Sequence, residues 1–152
     1  MKTIKKELVV NAPQETAFRV FTEQIDSWWP RTHHIGRTPM TKLIVEPFAE
    51  GRWYSIHEDG TRMDIGYVQD YHPNDKLLLI WQVNGDSRFD PSIITEVEVI
   101  FNAEGEEQTR VHFEHRNIER LGGGKGVGSM DEGWGLIMNL YKLYANKAAV
   151  NS

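Results

Sequence analysis

Six histidines, and no cysteine at all, bound the chemistry open to this chain. Two of them, His33 and His34, are adjacent in a polar stretch from Arg31 to Met40. Imidazoles at a cavity mouth can shuttle protons or form hydrogen bonds near neutral pH. The alternative is a surface turn whose rings cap a neighbouring helix. His115 alternates with Val111 and Phe113 and should point inward, where a lone histidine is more often a satisfied core residue than a catalyst. A metal would need a third ligand, such as His57, His115 or Asp64, to converge on the pair. No local spacing of the His-x3-His kind supplies one. Neither metal nor cofactor is therefore expected, and the lack of cysteine excludes thiolate sites and disulfides.

Large apolar side chains are the second resource. Trp53, Trp81, Trp134, Met138 and Tyr141 could line an apolar pocket, with Tyr54, His57 and His115 as its few polar groups. As core filler the same residues would look identical in sequence. The run Gly122-Gly123-Gly124-Lys125-Gly126 lacks the phosphate-loop pattern, because Gly126 replaces the required Ser or Thr. It reads as a flexible hinge from Leu121 to Gly128. No Gly-x-Ser-x-Gly nucleophile turn is present. Asp90, next to Pro91 and near Arg88, reads as a structural turn. Arg116, Glu119 and Arg120 form either an ion-pair cluster or an anion grip at a pocket rim.

These residues need elements to hold them. From Ser129 to Ala148, Met130, Trp134, Ile137, Met138, Tyr141, Tyr144, Ala145 and Ala148 recur on one helical face, and Asp131, Asn139, Lys142 and Asn146 on the other. Leu136, Leu140 and Leu143 form a second ridge on its flank, which must meet the first helix, the Trp28–Trp29 loop or a second subunit. Ile4 to Val10 reads as a strand. Pro13 opens a helix, with Asn11 a nearby cap, and a second short turn is stopped by Pro30. Strands are expected over Thr41–Glu46, Arg52–His57, Met63–Tyr71, Lys76–Val83, Ile94–Phe101 and Thr109–Arg116. Pairing the last two would set Glu96 and Glu98 against Arg110 and His112. Strands grouped apart from helices indicate an α+β fold.

Length predicts one domain over 1–152. No apolar stretch is long enough for a signal peptide or membrane span, which predicts a cytoplasmic protein. The formal charge of −5 argues against nucleic acid as the main partner.

A set of short motifs in order carries a resemblance. They include Trp29-Pro30, Thr32-His33-His34-Ile35-Gly36, Gly51-Arg52-Trp53-Tyr54, Gly66-Tyr67-Val68, Trp81-Gln82, Asp90-Pro91, Thr109-Arg110-Val111, Glu114-His115-Arg116 and Gly133-Trp134. Together they resemble bacterial members of the family named after the C-terminal domain of the activator of the heat-shock-protein-90 ATPase. That family lies in the START-like, or SRPBCC, helix-grip superfamily. The resemblance implies a seven-stranded antiparallel sheet wrapped around the long C-terminal helix, with two short helices after the first strand and a cavity between helix and sheet. It does not imply one chemistry. Three functions follow: binding of a small apolar or amphipathic molecule; an enzyme of cyclase, dehydratase or hydrolase type using His33, His34 or His115; or a chaperone-interacting module. The chain lacks the separate N-terminal domain of the eukaryotic co-chaperone, which weighs against chaperone activation. The ligand-binding set is then His33, His34, Trp53, His57, Trp81, His115, Trp134, Met138 and Tyr141, with a homodimer possible through the Leu ridge.

Overall fold

The computed structural model describes residues 3–122 and 128–150. Seven strands form one sheet: β1 Thr3–Val10, β2 Met40–Val45, β3 Arg52–His57, β4 Arg62–His72, β5 Lys76–Trp81, β6 Thr95–Ala103 and β7 Thr109–Arg116. Their order is β1-β7-β6-β5-β4-β3-β2, every neighbouring pair antiparallel. Helices α1 (Gln14–Thr22) and α2 (Ile25–Trp28) fill the link from β1 to β2. Helix α3 (Met130–Val150) closes the fold. Register shifts at Met40/Lys42, Trp53/Tyr54 and Val68/Asp70 bend β2, β3 and β4. Such bulges raise local twist and curl a sheet. The curled face is covered by the three helices. This is the expected α+β helix-grip fold.

Alternation sets which side chains meet the helices. On β6, Thr95, Val97, Val99 and Phe101 are buried; on β7, Thr109, Val111, Phe113 and His115 are buried. Helix α3 buries Trp134, Ile137, Met138, Tyr141 and Ala145, the stripe its 3.6-residue period predicts. The Tyr141 hydroxyl donates to the Ala17 carbonyl at 2.8 Å and ties α3 to α1. Burial pushes its ionisation well above the ordinary tyrosine range, so it stays a donor. The sheet's outer face is polar and laced with ion pairs such as Arg116–Glu98 and Lys76–Glu98.

Three local expectations change. Pro13 itself occupies the N-cap of α1 without a side-chain hydrogen bond. Asn11 instead turns to α3, its backbone N–H meeting Asn146 Oδ1 at 2.7 Å. The β6–β7 hairpin pairs Ala103 with Thr109, which sets Glu96 opposite Arg116 and Glu98 opposite Glu114. Arg110 and His112 therefore do not face Glu96 and Glu98. Both reach across β1 to Glu7, and Arg110 also binds Glu104. Finally, β5 stops at Trp81; Val83 makes only an isolated bridge to Phe89.

Candidate functional site

Four tryptophans close a ring inside the curled sheet. Trp29 meets Trp53, Trp53 meets Trp81, Trp81 meets Trp134 and Trp134 returns to Trp29, with centroids 5.5–6.3 Å apart and planes steeply inclined. Edge-to-face pairs of this kind contribute beyond simple burial. The backbone explains the convergence. Trp53 on β3 and Trp81 on β5 both stand directly opposite Gly66 on β4. A Cβ at Gly66 would lie 1.6 Å from the Ile80 carbonyl oxygen, so only glycine allows this approach, and the two indoles lean over it.

Behind the ring lies a directional chain of hydrogen bonds. Trp134 Nε1–H donates to His115 Nδ1 at 3.1 Å. The neutral His115 then carries its proton on Nε2, which lies 2.9 Å from Thr95 Oγ1. The Thr95 hydroxyl donates to the Trp81 carbonyl at 2.9 Å. Every polar atom of the imidazole is used. His115 is wholly buried, and desolvation pushes its pKa down to about 3. It is a neutral strut between two tryptophans, with no path to a substrate.

His57 has a related role at the other side. Its ring contacts Thr38 O through Nδ1 at 2.8 Å and Ser55 Oγ through Nε2 at 2.8 Å. That pins the loop between α2 and β2 to the sheet. Gly36 in this loop has φ +96° and lies so close that a Cβ would sit 3.1 Å from the imidazole. The same loop is held from within, since Trp29 Nε1–H donates to the His33 carbonyl at 2.7 Å. His33 and His34, both half-buried, project from it. His34 Nδ1 bonds the Ile35 carbonyl at 2.9 Å, which leaves Nε2 of the neutral ring as an acceptor.

The pinned loop is one wall of a half-open cavity of about 700 Å³. The floor is Trp29, Ile65, Trp81 and Trp134. The first turns of α3 bring Met130, Glu132, Gly133 and Ile137. The far wall is the loop after β5, with Val83, Asn84 and Ser87. That loop is also fixed: Asn84 Oδ1 accepts from the backbone N–H of Asp86 and of Arg88, and Gly85 N–H donates to Leu121 O at 2.9 Å. The indole N–H groups of the floor are all spent inside the protein, Trp81 on Val83 O at 2.9 Å. What the cavity meets of these rings is carbon, from the half-buried Trp81 and the small exposed margins of Trp29 and Trp134. Among the described residues, Glu132 is the one formally charged lining residue, and it makes no ion pair.

Of the residues singled out in the sequence, His33, His34, Trp81 and Trp134 border this cavity. Trp53, His57, His115, Met138 and Tyr141 lie behind it, buried in the core. Trp29, Ile65, Asn84 and Ile137 were not singled out; Trp29 adjoins the histidine loop, which was the available signal. Asp90 is the expected turn, accepting from the backbone and hydroxyl of Ser92. Arg116 and Arg120 serve ion pairs to Glu98 and Glu96. Residues 123–127 of the glycine run lie outside the described residues. Among the described residues, no three metal-ligating side chains converge, and no helix is long and apolar enough to cross a membrane.

A curled seven-stranded sheet closed by a long helix, with a tryptophan-floored opening at one end, defines a START-like helix-grip protein. Residues 11–145 match the family model of the Activator of Hsp90 ATPase homolog 1-like proteins, and the chain belongs to that family. Among solved structures it is similar to CalC from Micromonospora echinospora, a self-sacrificing resistance protein: 30% identity, 99% of this chain and 97% of that one, TM-score 0.70. It is similar to Txn09, an anthrahydroquino-gamma-pyrone synthase solved in complex with a compound: 27% identity, 94% and 96% of the two chains, TM-score 0.66. A dimeric Aha1 from Colwellia psychrerythraea shares the fold at 16% identity, 93% and 94% coverage, TM-score 0.65. No curated protein sequence matches the chain.

Proposed function

We propose that this protein binds a flat, largely apolar small molecule in the tryptophan-floored cavity. The observation that carries the reading is the floor itself: three indoles whose N–H groups are already satisfied present only ring surface to an opening of about 700 Å³. Pockets of this size and character suit drug-sized ligands. The relatives support it in kind, since one at 27% identity is a synthase named for a fused-ring product. Native mass spectrometry of the protein purified from its own host tests it. A retained small molecule that absorbs in the near ultraviolet is the expected result. A bare chain from every preparation, with no saturable binding of fused-ring compounds, contradicts it.

One observation favours a second reading, catalysis in the same cavity. His33 and His34 border it, and His34 Nε2 is an available acceptor for a substrate proton. On this reading His34→Ala abolishes turnover of a bound compound while binding persists. A bound compound recovered chemically unchanged after prolonged incubation argues for a carrier.

A further inference from the structure

Resting on the binding reading above, we infer that the ligand carries a positive charge on its flat apolar body. Three features of the cavity converge on this. Its floor is indole without free donors, and Trp81, only half-buried, keeps ring surface against which a cation is attracted by the ring quadrupole. Among the described residues its one formal charge is the Glu132 carboxylate, whose neighbour Asp131 is already paired with Lys6 at 3.0 Å. The N-terminal end of α3 supplies only about half a positive charge, so this wall remains net negative. His34 Nε2 adds an acceptor on the facing loop. The whole chain, at −5, draws cations toward it as well. An anionic ligand would meet a carboxylate and spent indoles. A neutral one would gain nothing from the exposed carboxylate.

The test uses three compounds of one shape: 9-aminoacridine as the cation, acridone as the neutral ring system and anthracene-9-carboxylate as the anion. Affinities are measured by fluorescence titration of the full chain at low and high salt. The cation is expected to bind roughly five- to tenfold more tightly than acridone at low salt. The anion should bind least, and the preference should shrink as salt rises. Glu132→Gln, an exposed change, should cut the cation-to-neutral ratio by roughly two- to fivefold. Circular dichroism of the variant confirms its fold. Equal binding of 9-aminoacridine and acridone overturns the cation inference and leaves the cavity reading standing. So does a ratio unmoved by Glu132→Gln. Failure of all three compounds to bind overturns both.

Discussion

His115 shows how one side chain can look catalytic and be structural. Its neutral ring joins Trp134 to Thr95, and through Thr95 to Trp81. Because burial lowers its pKa to about 3 from an ordinary 6.5, the unfolded chain binds a proton in that interval that the folded chain refuses. Stability from this group is therefore complete above about pH 6.5 and is lost as pH falls toward 3. Its share of the slope is up to about 1.4 kcal/mol per pH unit. Urea unfolding across that window should be steeper in pH for wild type than for His115→Gln. Equal slopes would mean that the ring titrates normally. His115→Phe leaves the Trp134 N–H buried without an acceptor and should cost about 1–3 kcal/mol on that count alone. The inward direction of His115 was legible from strand alternation. Its partners were not, because nothing in sequence brings Thr95 and Trp134 to the two nitrogens of one ring.

At the level of elements, glycines decide where the walls stand. Gly66→Ala would drive a methyl into the Ile80 carbonyl and push β4 from β5 beneath the Trp53–Trp81 contact. A loss of more than about 4 kcal/mol is expected, read as failure to fold or a collapsed melting temperature. A variant melting near wild type would show that the strands can part without cost. Gly36→Ala combines a left-handed backbone with crowding of His57. It should cost about 1–2 kcal/mol and weaken ligand binding by displacing the His33–His34 loop. Strand and helix spans followed closely from periodicity, because one face of nearly every element is buried. Hairpin register did not follow from charge matching: the tight pairing of Ala103 with Thr109 fixed it, and counting back from that turn gives Glu96 opposite Arg116. The loop after β5 was legible as polar, but its role as a cavity wall depends on Asn84 folding it on itself and on Gly85 reaching Leu121.

For the whole molecule, the grip of sheet on helix is filled rather than hollow. Met138 and Tyr141 close the interior, and open space remains where the α3 N-terminus meets the two pinned loops. Sequence could not separate core from lining, since both ask for the same apolar residues. The Leu ridge divides likewise: Leu136 borders the cavity, Leu140 is half-buried near Trp28, and Leu143 stays exposed. Leu143→Glu should leave the melting temperature within a few degrees. If two copies pair through this flank, the same variant shifts sedimentation from dimer to monomer. A wild type that sediments as a monomer at high concentration removes the pairing. The central claim is that the tryptophan floor receives a flat molecule, and titration with acridone followed by indole N–H resonances tests it most directly. The account predicts saturable shifts at Trp29, Trp81 and Trp134, with Trp28, on the separate groove beside Leu140 and Leu143, unmoved. Saturable shifts confined to Trp28, or none at any tryptophan, would contradict it.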